Sequence, residues 1–341
     1  MNLPLLSDFN FQGKKVLVRC DFDVPVENGI IVDDSRIKEC LPTIQYLLEQ
    51  NASEVILLGH LGRPEGKAVE EFSLKPVAER LNKLLNLQFQ VSNFQLGNFS
   101  AFKIKDNVYL LENLRFDKGE EENDEGFARE LAGLGDFYVN EAFAVSHREH
   151  ASIVGVPKFL PHCTGLHFTS EVENLSRVLE KPEKPLVFVI GGAKPETKLV
   201  YIEDFSRIVN TVLAGGILVR ERDRVRVREN IIFANLTDDG FDINEESIKE
   251  FADIIKNAGT IVWNGPMGKY EVPEGQEGTR RVGEAIANSF AFKVVGGGDT
   301  ITALKKFNLI DKMDYVSTGG GAMLEFLAKG TLPGIKVLIN K

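Results

Sequence analysis

From end to end this chain alternates short apolar runs with longer stretches whose apolar residues recur at helical spacing. Residues 16–19, 54–58, 108–111, 137–140, 186–190, 211–213, 231–236, 260–263, 292–295 and 315–316 read as strands. Between them, 41–49, 74–85, 124–134, 245–256, 278–289, 300–307 and 322–328 read as helices. Strands without polar alternation are covered on both faces, so the pattern predicts parallel sheets flanked by helices, an α/β fold. At 341 residues the chain has room for about two domains. Glu171, Glu173, Leu175, Val178 and Leu179 outline a helix, and Lys181-Pro182-Glu183-Lys184-Pro185 stops it, because proline cannot continue one. That segment is either a stiff connector between two lobes or one more crossover helix of a single large domain.

Two of the strands run into triple glycines, Gly296-Gly297-Gly298-Asp299-Thr300 and Thr318-Gly319-Gly320-Gly321-Ala322. Glycine lets the backbone approach a ligand, and a helix start offers free N–H groups and the positive end of a dipole. Such turns suit phosphate oxygens; the blander use is to tighten a strand–helix connection. Asp299 is placed either to hold Mg²⁺ or to cap the helix. Gly191-Gly192-Ala193-Lys194 follows another strand, with Lys198 four residues on. On one helix the two lysines share a face and point at one anion; a solvated helix face is the alternative. Asn264, in Trp263-Asn264-Gly265-Pro266-Met267-Gly268, closes a further strand, and Glu271 lies just beyond. That glutamate is an acceptor for ribose hydroxyls or a solvated loop acid.

The first half gathers cations at its strand ends. Arg19 leads into Asp21-Phe22-Asp23-Val24-Pro25, Arg36 follows Asp33-Asp34-Ser35, and His60-Leu61-Gly62-Arg63-Pro64 follows the second strand. Arg115 and the run His147-Arg148-Glu149-His150 follow the next two. In a parallel sheet these loops converge on one edge, and arginine's planar fork suits phosphate and carboxylate. The formal net charge is −10, which argues against nucleic acid as a partner and makes a local cationic cluster purposeful. A small, doubly anionic substrate is the natural occupant. Asp21 and Asp23 either accept from its hydroxyls or orient the arginines. Three cysteines without metal spacing fit a reducing cytoplasm, and no apolar segment is long enough to span a bilayer. Without a long apolar stripe, a monomer is expected.

At this point the chain resembles the phosphoglycerate kinase family. The likeness is carried by Asp21-Phe22-Asp23-Val24-Pro25, Gly59-His60-Leu61-Gly62-Arg63-Pro64, Glu112-Asn113-Leu114-Arg115-Phe116, Asn140-Glu141-Ala142-Phe143 and His147-Arg148-Glu149-His150-Ala151-Ser152. It continues through Gly191-Gly192-Ala193-Lys194, the Trp263–Gly268 run and both glycine turns, all in family order. The resemblance implies two doubly wound, Rossmann-like parallel-sheet lobes joined by a helix. It places a phosphoglycerate-binding lobe at 1–168, the connecting helix and hinge at 169–185, a truncated nucleotide-binding lobe at 186–318, and a segment at 319–341 returning to the first lobe. It implies reversible phosphoryl transfer between 1,3-bisphosphoglycerate and ADP in glycolysis and gluconeogenesis, with Mg²⁺ and ATP/ADP, by closure of the lobes. By that likeness Asp21, Asp23, Arg36, His60, Arg63, Arg115 and Arg148 hold the phosphoglycerate. Lys194, Lys198, Asn264, Glu271, Gly297, Gly298, Asp299 and Thr300 hold the nucleotide, with Asp299 on the metal. Arg36, Lys194, Gly320 and Gly321 attend the transferred group.

The departures lie mostly on the nucleotide side. Residues 216–247 are shorter than the family's usual stretch, and Arg220, Arg222, Arg224, Arg226 and Arg228 recur at every second position there. That period predicts a protruding hairpin; the sharper reading is that these arginines replace lost nucleotide contacts. Asp242-Ile243-Asn244-Glu245 aligns with a family turn that normally holds Gly-Pro, and Lys269 takes a usually apolar place. Pro195, Glu196 and Thr197 interrupt the usual run between the two lysines. Asp23 stands where the family usually has Asn, a charge that either is balanced by a nearby Arg or weakens substrate binding. The competing reading is a non-catalytic relative that binds phosphoglycerate but has impaired nucleotide binding. A nucleotide-dependent dehydrogenase is weaker, because the chain has no G-x-G-x-x-G.

Overall fold

The computed structural model describes residues 1–86, 90–226 and 228–339. In the first part of the chain the strands are β1 (Lys15–Arg19), β2 (Val26–Glu27), β3 (Ile30–Ile31), β4 (Glu54–Leu58), β5 (Ser92–Leu96), β6 (Phe99–Lys105), β7 (Val108–Leu111), β8 (Phe137–Asn140) and β9 (His162–Thr164). The helices among them are α1 (Ser35–Glu49), α2 (Lys75–Leu84), α3 (Lys118–Glu121), α4 (Glu125–Ala132) and α5 (Leu166–Glu180). Next come β10 (Leu186–Ile190), α6 (Pro195–Phe205), β11 (Thr211–Ala214), β12 (Ile231–Phe233), α7 (Glu245–Lys256), β13 (Thr260–Asn264), α8 (Glu277–Asn288), β14 (Phe292–Gly296), α9 (Gly298–Lys306), β15 (Tyr315–Ser317), α10 (Gly320–Lys329) and α11 (Pro333–Ile339). The chain divides into two compact units: Met1–Val172 together with the stretch from Thr331 onward, and Glu173–Gly330. The division falls inside α5.

The first unit holds a seven-stranded sheet in the order β5-β6-β7-β4-β1-β8-β9. From β7 to β9 its pairs are parallel, with Val16 opposite both Val55 and Phe137. The strands walk outward from β1 in one direction through β4 and β7, and in the other through β8 and β9. β1, β4, β7 and β8 are buried almost throughout, because helices cover both faces. The antiparallel β5–β6 hairpin at the edge was not anticipated: β5 is exposed and carries no apolar run. Helix α1 starts well before the expected residue 41 and carries Pro42 inside it, burying Ile37, Cys40, Thr43, Ile44 and Leu47. The stretch from Thr331 packs in this unit, with Ile335 and Leu338 buried and the Gly334 N–H donating to the Ser146 carbonyl at 2.9 Å. Asn340 and Lys341, the end of the expected returning segment, lie outside the described residues.

The second unit is a six-stranded, all-parallel sheet in the order β12-β11-β10-β13-β14-β15. Numbered along the chain, that is the 3-2-1-4-5-6 order of a doubly wound sheet, with its switch point between β10 and β13. Every residue of β10 and β13 is buried. The arginine-rich run corrects the hairpin expectation. Residues Gly216–Arg224 form a 3₁₀ helix directly after β11. Leu218 and Val219 are buried on it, and a winding of about three residues per turn spreads Arg220, Arg222 and Arg224 round the axis, while Arg226 and Arg228 lie beyond its end. Val227, within that run, lies outside the described residues. Among the described residues no helix is long and apolar enough to cross a membrane.

Candidate functional site

In the first unit the loops leaving β1, β4, β7 and β8 carry the predicted cations to the carboxyl edge of the sheet. Arg19 ends β1 and is wholly buried. Its Nε donates to Ser152 Oγ at 2.7 Å, and a further N–H bonds the Cys20 carbonyl. Its Nη2 lies 3.1 Å from His60 Nδ1 and 4.0 Å from Glu120 Oε1. Glu120, buried at 0% exposure, accepts from the Ser152 N–H at 2.9 Å and the Ser152 hydroxyl at 2.6 Å. It compensates Arg19 and was not anticipated; one acid among several in a solvated-looking run gives no sign of burial. A guanidinium only donates, so His60 Nδ1 accepts and the proton of the neutral ring sits on Nε2. That nitrogen is 3.9 Å from Asp23 Oδ2.

The electrostatics identify an anion basin. Burial, followed by the charges of Arg19 and Arg115, holds the His60 imidazole well below its ordinary pKa. Burial and the same two arginines, Arg115 first, push His150 down to about 3. Burial and then Arg148 lower Arg115 to about 10, so it stays charged at neutral pH. Arg115 Nη1 donates to the Gly62 carbonyl at 2.7 Å, and its Nε is 3.4 Å from Glu121 Oε1. Among the described residues its buried Nη2 has no hydrogen-bond partner. A buried cationic donor of that kind is costly unless an anion meets it.

Arg36, in the first turn of α1, places Nη1 3.0 Å from Asp21 Oδ2 and 3.1 Å from the Asp23 carbonyl oxygen. The expected arginine balance for the Asp23 carboxylate comes as charge from Arg115, and its Oδ1 also accepts the Gly62 N–H at 2.9 Å. Gly62 has φ +62°, and a Cβ there would lie 2.5 Å from the Phe72 ring, so only glycine fits beneath the exposed Arg63. Arg148 is half-buried, with Nε 3.4 Å from His147 Nε2.

In the second unit the switch point gathers the glycine turns. The Gly191 N–H donates to the Asn264 carbonyl at 3.0 Å, and the Gly192 N–H to that of Pro266 at 2.8 Å. Lys194 is exposed and caps α6, and Pro195 takes the first helical position, where its missing N–H costs nothing. The residues that interrupt the lysine pair in the sequence therefore build the first turn of the helix. Lys198 Nζ donates to the Gly191 carbonyl at 2.7 Å. Thr300 Oγ1 accepts the Gly265 N–H at 2.6 Å and ties the β13 turn to α9. Gly297 has φ +97°; a Cβ on Gly320 would lie 2.8 Å from the Gly297 Cα, so the starts of α9 and α10 touch backbone to backbone. Buried Asn264 lies against this pair, while Gly298 and Gly321 have open space where a Cβ would sit.

Beside these turns opens a cavity of about 360 Å³. Gly192, Ala193, Gly216 and Pro266 line it with the apolar Ile217, Leu236, Phe241 and Met267. Asp299 and Glu271 add acids, Arg220 and Lys269 add cations. Asp242, buried, accepts the Gly278 N–H at 2.7 Å and the Ile243 N–H at 2.8 Å, and burial raises its pKa to about 6. This carboxylate anchors the loop behind the cavity where a Gly-Pro turn was the family expectation.

A cationic edge on one sheet and helix starts opening on an apolar-walled cavity on the other define a class, the two-domain α/β kinases. The comparisons with known proteins narrow it. A family model described as phosphoglycerate kinase matches residues 6–222 and 217–330. The phosphoglycerate kinase of Borreliella afzelii is 40% identical over 392 aligned residues, covering 99% of this chain and 100% of that protein. That of Finegoldia magna is 38% identical, with 98% of each chain covered. The solved phosphoglycerate kinase of Coxiella burnetii superposes with a TM-score of 0.82 at 37% identity, over 99% of both chains. That of Pyrococcus horikoshii OT3 gives 0.83 at 29% identity, over 98% of both. This chain belongs to the phosphoglycerate kinase family and is an enzyme. It is shorter than the curated relatives it matches.

Proposed function

We propose that the chain carries out reversible phosphoryl transfer between 1,3-bisphosphoglycerate and ADP with the work divided between its two sheet edges. Arg63, Arg115, Arg148 and the Nε2–H of neutral His60 hold the anionic ends of the phosphoglycerate. Asp21 orients Arg36, and Asp23 fixes the Gly62 turn while accepting from a substrate hydroxyl. On the other edge the N–H groups at Gly297, Gly298, Gly320 and Gly321 receive phosphate oxygens, with Lys194, Lys198 and Asn264 beside them. Thr300 keeps the Gly265 turn in place, and Glu271 accepts from the ribose. In this division residues 1–168 form the phosphoglycerate lobe, 169–185 the connector, 186–318 the nucleotide lobe and 319–341 the returning segment.

Asp299 fits Mg²⁺: it is an exposed carboxylate lining the cavity, and Mg²⁺ takes one or two carboxylates plus phosphates and water. Among the described residues no group of three or more His, Cys, Asp or Glu forms an all-protein cage. The metal neutralises phosphate charge when bound. The protein itself positions and stabilises, because phosphoryl transfer leaves little covalent work to side chains. Arg36 and Lys194 follow the moving group, and the excluded water cannot compete for it. A monomer in the cytoplasm belongs to the same reading; the three cysteines are buried and unbonded, which suits a reducing compartment.

The observation that carries this reading is the convergence of His60, Arg115, Arg148 and His150 in one basin whose burial, and then its cationic charge, keep the histidines neutral. A coupled assay with 3-phosphoglycerate, ATP and Mg²⁺ tests it, with turnover expected. Folded protein that turns nothing over and gives no saturable MgADP binding by calorimetry overturns it. The non-catalytic alternative is not favoured, since full-length relatives are kinases and the cavity persists in the shortened lobe.

A further inference from the structure

We infer that Arg220 reads the nucleobase and biases this enzyme toward 6-oxopurine nucleotides, those of guanine and hypoxanthine, over adenine ones. The inference rests on the nucleotide reading of the cavity proposed above. Sheet order settles which end of the cavity takes the base. Asp299 follows β14, whereas Leu236 follows β12 and Arg220 follows β11, four and three strand spacings away, roughly 19 and 14 Å at about 4.8 Å each. Phosphates at the starts of α9 and α10 therefore leave the base on the β11–β12 side. Arg220 stands there, on the 3₁₀ helix that follows β11, and lines the cavity. Its Nη2 donates to the Gly240 carbonyl at 3.2 Å, which anchors the guanidinium by one of its five N–H donors.

A second cation, Lys269, reaches the same cavity from the loop after β13, its Nζ 5.5 Å from the centre of the Phe241 ring. Both groups only donate. Adenine offers N7 as an acceptor beside a donating N6 amine, so one of its two edge groups confronts a donor. Guanine and hypoxanthine offer N7 and O6, two adjacent acceptors that match a guanidinium fork. Neither cation follows from the adenine reading of the pocket: Arg220 lies in the shortened 216–247 stretch and Lys269 at a place the family usually keeps apolar.

The test is steady-state phosphorylation of 3-phosphoglycerate by MgATP, MgGTP and MgITP with the full chain. The expected kcat/KM is higher for GTP and ITP than for ATP by about 10- to 100-fold, the discrimination a bidentate arginine supplies. GTP and ITP agree closely, because both carry O6. In R220A and R220Q the ratio collapses toward one, and R220K keeps part of it. Equal use of all three, or a preference for ATP, overturns the base assignment and leaves the kinase reading standing. So does a ratio that the variants do not change; an equal loss for every purine marks stacking in place of edge recognition and overturns it too. Folded protein that turns over none of the three refutes the kinase reading, and the base assignment with it.

Discussion

Replacing Lys198 with Met separates the chemistry of the nucleotide edge from its stability. The ammonium sits in the opening turns of α6 with its Nζ on the Gly191 carbonyl, and burial lowers its pKa from 10.5 to about 8, Asp299 pulling it up and Lys194 down. That fall amounts to about 3 kcal/mol of preference for the neutral amine in the folded protein. Between pH 8 and 10.5 the unfolded chain binds more protons at this site than the folded one, so stability rises with pH across that window. At pH 7 the full penalty is present. Lys198→Met removes it and forfeits one hydrogen bond of about 1 kcal/mol, for a net gain of about 2 kcal/mol. Scanning calorimetry then shows the midpoint up by about 5 °C at pH 7, and the gain gone by pH 10.5. Activity moves the other way. kcat/KM for MgADP falls on the order of 10²–10³-fold, as for loss of other preorganised charges. In the wild type kcat/KM declines tenfold per pH unit above about 8, and in the variant it is flat. A lower midpoint at pH 7, or wild-type kcat/KM level from pH 7 to 10, refutes the reasoning.

Three further outcomes follow from the same geometry. Arg115→Met raises KM for 3-phosphoglycerate by about 100-fold or more, because a desolvated charge pair is lost, while the thermal midpoint holds or rises, since a buried cation with an unmet Nη2 is gone; a large loss of stability with unchanged KM contradicts this. Histidine NMR of the free protein shows His150 neutral down to pH 5 and His60 titrating well below an ordinary imidazole, and 3-phosphoglycerate raises both pKa values; either ring charged at pH 6 without ligand removes the basin. Because both folded values lie below the unfolded one, their contribution to stability is lost as pH falls below about 6.5. Gly320→Ala forces a methyl to 2.8 Å from the Gly297 Cα and separates the two helix starts, with kcat down on the order of 10²-fold; Gly321→Ala, with open space at its Cβ, keeps the wild-type midpoint.

The central strands were legible because parallel strands leave no face for polar residues. Residues 54–58, 108–111, 137–140 and 186–190 are strands in the structure with the same bounds as in the sequence reading. The exposed β5 strand has no such run, and its pairing depends on a neighbour rather than on its own letters. Arg36, His60, Arg63, Arg115 and Arg148 could be gathered from sequence, since parallel topology sends their loops to one edge. Glu120 and Asp242 could not. Each is an acid like its solvated neighbours until tertiary packing buries it against Ser152 or the start of α8. The alternating arginines misled for a related reason: period two suits a ribbon, but residues 216–224 wind as a 3₁₀ helix with Leu218 and Val219 buried.

Helix α11 carries a consequence for synthesis. Residues 173–330 form an uninterrupted set, able to condense as soon as they clear the ribosome, whereas residues 1–172 share their interior with Ile335 and Leu338. The portion translated first therefore gains part of its interior from a helix encoded more than 150 codons later.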